Sequence, residues 1–283
     1  MALNLDQLEV LHLPFSVHGQ PMKLKVLGPE ETTSNCWRRA AIPVSGYIVS
    51  PAPDILFHFG NRQGVYLDVG ANFGVTAMQA AQLVRHVYAC EPDPDNCALL
   101  AENLRLNNIH NVTIIPKALA RQSGLAPLYR CPNNVGQHSL EPRAQATSSL
   151  MVETITPDAL FGPEPPPFAF IKIDTEGTDL EVLLALEPMI ARLPVKPSIK
   201  LEFTPSLWRQ HRVDLSEFAR LVLSHGYMIY LNANGTPNPL PWAAVRAIYD
   251  AWSPYTSEGH LDLYLIHEQV GAPYFQAPLR MLF

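Results

Sequence analysis

Short runs of apolar and β-branched residues alternate with longer amphipathic stretches between residues 65 and 266. A strand, a helix and a second strand form the building unit of a parallel sheet, because the helix returns the chain to the edge where the first strand began. Such connections are right-handed and place helices on both faces of the sheet. The sequence therefore predicts an α/β fold with a doubly wound, mostly parallel sheet that binds ligands at the carboxyl ends of its strands.

The periodicity of the apolar residues places the individual elements. Strands are predicted over 65–69, 86–90, 112–115, 127–130, 168–173, 199–203, 227–231 and 261–266. Helices are predicted over 75–83, 95–106, 180–186 and 215–225.

The remaining stretches are predicted to be loops or terminal extensions. Residues 131–149 are polar and predict a long loop, and prolines clustered over 163–167 and 237–241 predict two further loops. We divide the chain into an N-terminal cap or lid (1–62), a main domain (63–270) and a C-terminal tail (271–283).

Charge and cysteine content limit the partners and the compartment. The formal net charge of -6, from 20 lysines and arginines against 26 aspartates and glutamates, gives little attraction for the phosphates of nucleic acid or for anionic lipid. We find neither a basic, apolar leader nor a run of about 18 apolar residues, so we expect no secretory signal and no membrane span. The 4 cysteines are widely spaced, which favours free thiols in the cytoplasm.

The first predicted strand runs into a glycine-rich turn, Asp68-Val-Gly-Ala-Asn-Phe-Gly74. Gly70 and Gly74 allow a tight turn and a close approach of the backbone to a ligand. A dinucleotide-binding fingerprint has a third glycine between these two, where a pyrophosphate is admitted, but this chain has Asn72 there. This difference disfavours an NAD-dependent oxidoreductase.

An acidic residue, Glu91, ends the second predicted strand. A carboxylate at this place can accept hydrogen bonds from both hydroxyls of a ribose. Alternatively, Glu91 is a solvated acid in a turn or belongs to the N-cap of the next helix. Together with the glycine-rich turn, it favours a cofactor that contains adenosine.

Three charged residues, Lys172, Asp174 and Glu176, end the fourth predicted strand. Such a group is costly to bury without partners or a ligand. These residues could instead have a purely structural role, in which Lys172 pairs with a carboxylate and Glu176 caps the next helix. Glu202 ends the neighbouring fifth strand, so three carboxylates could bind a divalent cation, but their spacing matches no diagnostic metal pattern and we predict no metal site.

Histidines offer a further candidate base. His138 lies in the polar loop and His211 follows the fifth strand, and either could deprotonate an acceptor. A single histidine is more often structural. His225, which precedes Gly226, is predicted to cap the end of a helix.

Five stretches of the chain resemble, in order, sequence blocks of the FkbM family of S-adenosylmethionine (SAM)-dependent methyltransferases. They are DVGANFG (68–74), CEPDPDN (90–96), ALARQSG (118–124), VETITPDAL (152–160) and IKIDTEG (171–177). Thr175 stands where the family more commonly has valine. An SSL-like element of the family corresponds either to 138–140 or to 148–150, and the resemblance does not extend to 1–60 or 235–283.

The resemblance implies a Rossmann-like, class I methyltransferase fold with a seven-stranded sheet and SAM as the cofactor. The implied cofactor-binding residues are Asp68, Gly70, Ala71, Asn72, Gly74, Glu91, Pro92, Asp93, Asn96, Lys117, Ala118 and Asp174. The turn 68–74 would line the methionine end, Glu91 would hold the ribose, and residues 93, 96, 117 and 118 would lie near the adenine. Asp174 would lie below the sulfonium and the acceptor.

For the reaction, the resemblance implies in-line O-methylation of a small molecule, often a sugar or a natural product. We predict Glu176, with Asp174 close by, as the group that orients or deprotonates the acceptor, and His138 as a further candidate.

Several alternatives stay open. The fold could use SAM for a non-methyl transfer or a cyclisation, could bind it without catalysis, or could bind NAD. A nucleic-acid methyltransferase is disfavoured because the prolines at 165–167 precede the fourth strand, where that class has a proline motif after it. As partners we expect a small-molecule acceptor, no nucleic acid and no membrane. The oligomeric state is open, and a homodimer is one option.

Overall fold

The computed structural model describes residues 9–17, 20–26, 64–131, 135–210, 212–233, 236–251 and 261–271. The strands are β1 (Glu9–Val17), β2 (Gln20–Val26), β3 (Val65–Val69), β4 (His86–Cys90), β5 (Val112–Ile115), β6 (Ala118–Leu119), β7 (Gly124–Arg130), β8 (Ser148–Ile155), β9 (Phe168–Ile173), β10 (Ser198–Phe203), β11 (Tyr227–Ala233), β12 (Thr236–Pro239) and β13 (Leu261–His267). The helices are α1 (Val75–Ala81), α2 (Pro94–Leu106), α3 (Pro157–Phe161), α4 (Asp179–Arg192), α5 (Pro205–Gln210), α6 (Leu215–Ser224), α7 (Trp242–Ala251) and α8 (Glu268–Gly271), and Val135–Gln137 forms a 3₁₀ turn.

The main sheet has 8 strands in the order β12-β11-β13-β10-β9-β3-β4-β5. Five neighbouring strands of this sheet, β10, β9, β3, β4 and β5, are parallel. In contrast, β13 is antiparallel to both β10 and β11, and β12 is antiparallel to β11. Helices and strands alternate along the chain, as predicted. The predicted count of seven strands needs a correction, because the chain turns back after β11 and adds β12 at the edge.

Helices cover both faces of this sheet, so the sheet is doubly wound. Apolar residues of α1 and α2 pack on one face, around Tyr66, Val87 and Phe170. Apolar residues of α4 and α6 pack on the other face, around Leu67 and Ile171. The parallel strands β3, β9 and β10 are therefore buried on both faces. β3 and β9 are accordingly rich in apolar residues, whereas β10 also buries Ser198, Lys200 and Glu202.

A separate sheet of 3 strands, in the order β6-β8-β7, lies between β5 and β9 in the chain. The predicted loop over 131–149 is shorter in the structure, because β8 begins at Ser148 and pairs with both β6 and β7. The prolines at 237–241 do not mark a loop throughout, since the first of them lie in β12. A proline is tolerated there because β12 is an edge strand, where a missing N–H leaves no ladder bond unmade.

The helix starts follow from local chemistry. Asp93 caps α2, and its side chain accepts hydrogen bonds from the backbone N–H groups of Asp95 and Asn96 while Pro94 occupies the first turn. The C-terminal end of α6 was also predicted. His225 is its C-cap and is followed by Gly226 with φ 68°, which confirms the predicted cap.

The predicted N-terminal lid lies mostly outside the described residues. The two described segments, β1 and β2, form an antiparallel pair, and β2 runs close to α2. Of the predicted free thiols, those of Cys90 and Cys97 are confirmed. None of the helices in the described part of the chain has the length and apolar character needed to cross a membrane.

Candidate active site

A cavity of ≈ 220 Å³ opens at the carboxyl ends of β3, β4 and β9. Its wall contains the turn after β3, the acidic end of β4, the start of β6, and the turn after β9. Residues 136, 138 and 140, from the connection between β7 and β8, complete it. Parallel strands end at one edge of a sheet, so stretches that are distant in the sequence meet here.

The glycine-rich turn is fixed by the strands next to it. The backbone N–H groups of Gly70 and Ala71 both donate to the carbonyl of Cys90, at 3.0 Å. Gly70 has φ 77°, and a Cβ atom there would lie 1.9 Å from the carbonyl oxygen of Asp174. At Gly74, a Cβ atom would lie 2.1 Å from Cδ1 of Leu100. Both glycines are thus required by packing against the protein itself.

Glu91 joins the glycine-rich turn to the end of β4. Its Oε2 accepts a hydrogen bond from the backbone N–H of Asn72 at 2.8 Å, and its Oε1 accepts one from the backbone N–H of Asp93 at 2.9 Å. Burial raises the pKa of Glu91 to about 7, although these hydrogen bonds oppose the shift. Glu91 is therefore a buried, oriented carboxylate and not a solvated acid of a turn.

Asp93 lies behind the cavity wall and contacts two side chains, Arg130 and His138, besides the start of α2. Arg130 donates to both of its carboxylate oxygens, at 2.6 and 2.5 Å. Nδ1 of His138 lies 3.1 Å from the same carboxylate. Burial would raise the pKa of Asp93, but the contacts with His138 and Arg130 outweigh it and lower the pKa to about 2. Asp93 thereby positions His138, which lines the cavity.

Lys172 is a buried counter-charge at the floor of the cavity. Its ammonium lies 3.2 Å from Asp68 and 3.3 Å from Asp174, and it donates a hydrogen bond to the carbonyl of Gly70 at 3.0 Å. Burial would lower the pKa of Lys172, but the two carboxylates outweigh it and raise this pKa. These contacts match the structural interpretation of Lys172, in which it pairs with carboxylates.

The turn after β9 is held from inside by Asp179. Its carboxylate accepts hydrogen bonds from the backbone N–H groups of Thr175 at 2.7 Å and Gly177 at 2.9 Å. Glu176, between them, has φ 58°, a conformation that is uncommon for residues other than glycine. The side chain of Glu176 pairs with Arg143 at 3.0 Å. Glu176 is therefore not a helix cap, since Asp179 makes the hydrogen bonds of this turn.

Three carboxylates converge beside this turn. One oxygen atom from each of Asp174, Glu176 and Glu202 lies within 4.8 Å of the other two. Burial and the neighbouring charge of Asp174 raise the pKa of Glu176 to about 8, against the opposing effect of Arg143. The same two causes raise the pKa of Glu202. The geometry brings together the three acids that the sequence singled out, and the absence of a metal ion stays a prediction.

The cavity wall includes most of the predicted site residues. Those that line it are Gly70, Ala71, Asn72, Gly74, Glu91, Pro92, Asn96, Ala118, His138, Asp174 and Glu176. Three predicted residues do not: Asp68 lies beneath the floor and reaches the cavity only through Lys172, Asp93 lies behind the wall, and Lys117 pairs with Glu153. Of the two stretches with an SSL-like sequence, 138–140 lies at the cavity and 148–150 starts β8. His211 lies outside the described residues.

Sequence reasoning did not find four residues that organise the site. They are Arg130, Ser139, Arg143 and Asp179. Asp179 could have been found, because an acid in the first turn of a predicted helix lies where N–H groups without helical partners are available. Both arginines come from outside the motifs, and no pattern in the sequence pairs them with their acids.

Comparison with known proteins identifies the family of the chain. A family model described as the methyltransferase FkbM domain matches residues 68–229. The chain belongs to the FkbM methyltransferase family. No sequence in a comparison with curated proteins matches it.

Several solved methyltransferase structures are similar to the chain. The methyltransferase FkbM from Methylobacillus flagellatus KT is 18% identical, with a TM-score of 0.47, over 73% of this chain and 44% of that one. An rRNA methylase from Streptococcus thermophilus is 14% identical, with a TM-score of 0.42, over 78% of this chain and 99% of that one. Precorrin-6y C5,15-methyltransferase from Geobacter metallireducens GS-15 is 16% identical, with a TM-score of 0.39, over 78% of this chain and 90% of that one. This chain thus spans less than half of the Methylobacillus protein.

Proposed function

We propose that this protein binds SAM in the cavity and transfers its methyl group to a hydroxyl oxygen of a small-molecule acceptor, such as a sugar or a natural product. One observation carries the proposal: a single cavity joins the glycine-rich turn and Glu91 on one side to Asp174 and Glu176 on the other. Membership of a methyltransferase family supports it.

The residues of the cavity fit this cofactor. Each carboxylate oxygen has two lone pairs. Oε2 of Glu91 uses one for the N–H of Asn72 and can still accept a ribose hydroxyl, whereas Oε1 accepts from the N–H of Asp93 and, at 3.5 Å, from Nδ2 of Asn96. Ala118, Leu119 and Leu128 provide an apolar wall for the adenine. The acids at the end of β9 complement the positive charges of the methionine end.

SAM, when bound, supplies a methyl group that is already activated by its sulfonium. The chain therefore has to position the acceptor and remove its proton. Glu176 is the group that suits the second task, because it lines the cavity and its pKa of about 8 lies near neutral pH. Asp174, which is paired with Lys172, provides fixed negative charge beside it.

The test is an assay with SAM that carries a deuterated methyl group. The protein is incubated with a panel of sugars, phenols and aliphatic alcohols, and the products are analysed by mass spectrometry. The proposal predicts formation of S-adenosylhomocysteine (SAH) together with one deuterated methyl group on an acceptor oxygen. Consumption of SAM with the deuterium absent from every acceptor, or with transfer of another part of the cofactor, would contradict it.

A further inference from the structure

We propose that Arg143 is a positioning residue that holds Glu176 in place at the cavity wall. It contacts both the main-chain carbonyl and the side-chain carboxylate of Glu176. The inference rests on the proposed function, in which Glu176 deprotonates the acceptor, and it adds a residue that none of the sequence motifs contains.

Arg143 reaches Glu176 from another part of the chain. It lies in the connection between β7 and β8, and its Nη2 donates to the carbonyl oxygen of Glu176 and, at 3.0 Å, to Oε2 of the same residue. The hydroxyl of Ser139, in the same connection, donates to that carbonyl at 2.9 Å. Ser139 is itself fixed to β7 by two backbone hydrogen bonds with Tyr129. The two residues that bind the carbonyl of Glu176, Arg143 and Ser139, therefore lie in a connection that is fixed to the three-stranded sheet.

Glu176 needs such an external support. Its positive φ of 58° is an unfavourable conformation for a residue with a side chain, and Gly177 after it has φ 113°. Asp179 binds the N–H groups on either side of Glu176 but not its carbonyl. Arg143 and Ser139 bind that carbonyl, so the turn is fixed from both sides and the carboxylate keeps one direction.

Charge gives Arg143 a second effect on the same carboxylate. Three acids face Glu176: Asp174 at the end of β9, Asp179 at the start of α4 and Glu202 at the end of β10. Lys172 is bound to Asp68 and Asp174. Arg143 is the basic group that contacts Glu176 among the described residues.

Because this ion pair is largely buried, the charge of Arg143 acts strongly on the pKa of Glu176. The Arg143 side chain is 11% exposed and that of Glu176 is 21% exposed, so water screens the pair weakly. Burial and the charge of Asp174 raise the pKa of Glu176, and Arg143 opposes both. Without Arg143 the pKa of Glu176 would rise further above neutral pH, so a smaller fraction of the carboxyl group would be ionised and able to act as a base.

Titration of Glu176 by NMR tests this role without an acceptor or cofactor. The protein is labelled with ¹³C at the glutamate carboxyl carbons, and the signal of Glu176 is assigned by its loss in Glu176→Gln. We expect a midpoint near 8 in the unmodified protein. In Arg143→Gln the midpoint should rise by at least about one pH unit, because the opposing charge is lost.

Two further variants control the experiment. Arg121→Gln removes an exposed arginine that pairs with Glu181, and it should leave the Glu176 midpoint unchanged. Arg143→Lys keeps the charge, but a lysine ammonium is a single point charge and does not reproduce the planar arginine fork. We expect this variant to show a smaller rise, of about 0.3 to 0.7 pH unit.

An unchanged midpoint in Arg143→Gln would overturn the proposal. If that variant does not fold, Arg143→Lys decides alone, and a titration like that of the unmodified protein overturns the proposal. SAH binding, measured by calorimetry, should change less than about threefold in either variant. A loss of more than about tenfold would make Arg143 a cofactor ligand instead. Failure of the unmodified protein to bind SAH would refute the proposed function, whereas the titration would still decide the role of Arg143.

Discussion

At the scale of single residues, two acids close together in the sequence have opposite environments. Glu91 is buried among backbone N–H groups and its pKa is raised to about 7. Asp93 is buried beside Arg130 and His138, and its pKa is lowered to about 2. The first is therefore suited to respond to a ligand near neutral pH, and the second to hold the structure around it.

The affinity for SAH should depend on pH through Glu91. The ribose hydroxyls bind best to an ionised carboxylate, so below pH 7 binding must first remove a proton from Glu91. We expect the affinity to fall by up to about tenfold for each pH unit below 7. Calorimetry between pH 6 and 8 measures this, and the dependence should disappear in Glu91→Gln. An affinity that is constant over this range in the unmodified protein would contradict the assignment.

Replacement of Glu176 by glutamine should stop turnover and spare cofactor binding. The amide keeps the shape of the side chain but cannot accept a proton from the acceptor. With an acceptor from the deuterium assay, we expect kcat to fall by about 100-fold or more, the usual contribution of a general base. The SAM affinity should change less than about threefold. In the unmodified protein kcat should rise with pH up to about 8, where Glu176 loses its proton.

Glu181→Gln is the matched control for that substitution. Glu181 lies in α4, is half exposed and pairs with Arg121. Its replacement should leave kcat unchanged. A fully active Glu176→Gln variant would transfer the role of base to His138, and loss of SAM binding in the same variant would make Glu176 a cofactor ligand.

At the scale of elements, the start of α2 connects stability to the site. Asp93 caps this helix and binds Arg130. Its folded pKa of about 2 lies below the ordinary value of 3.8 for an aspartate, so its ionised form contributes stability above pH 4, and this contribution is lost as the pH falls towards 2.

Asp93→Asn isolates that charge, because asparagine is also a good N-cap. We expect it to lower the free energy of unfolding by about 2 kcal/mol at pH 7. The difference from the unmodified protein should shrink as the pH falls from 4 to 2, which urea denaturation at several pH values measures. Asp214→Asn, at the exposed N-cap of α6, is the control and should have a much smaller effect. An equal effect at both caps would contradict the account.

The contact between Gly74 and α2 can be tested by a double-mutant cycle. A Cβ atom at Gly74 would overlap Leu100, so the single variant Gly74→Ala should be destabilised by about 1–3 kcal/mol from overpacking, in addition to backbone strain. Leu100→Ala removes the overlapped atoms. In urea denaturation the double variant should therefore be less destabilised than the sum of the two singles. Leu99→Ala, at a neighbouring buried position, should instead be additive with Gly74→Ala.

Most of the main sheet could be predicted from the sequence, because its strands are short runs rich in apolar and β-branched residues. The start of α2 differs from the prediction by one residue, and β9 agrees with it. The strands β8 and β12 were missed because they are stabilised mainly by backbone pairing with neighbouring strands, and less by burial of apolar side chains that a sequence pattern would show. The predicted helix over 180–186 ended before Pro188, but α4 continues to Arg192 since its apolar face stays buried.

At the scale of the whole molecule, the site is assembled from one part of the chain. Every residue that lines the cavity lies between Val69 and Thr178. The motifs could be predicted to meet there, since they follow parallel strands. The contacts of Arg130 and Arg143 could not, because they depend on how the three-stranded sheet packs beside the main one.

Removal of residues 1–62 tests the predicted lid. Because these residues supply none of the described cavity wall, the truncated protein should still bind SAH. If they complete the acceptor site, turnover should be lost. The comparison requires circular dichroism to show that the shortened chain is folded. A truncated protein with full activity would contradict the lid.

The central claim is that the cavity lined by the glycine-rich turn and Glu91 binds SAM. Calorimetric titration of SAH into the unmodified protein and into Glu91→Ala tests it most directly. The account predicts saturable binding to the unmodified protein, a loss of more than about tenfold (about 1.4 kcal/mol) in the variant, and no saturable heat with NAD. Equal affinity of SAH for both proteins, or saturable binding of NAD, would contradict it.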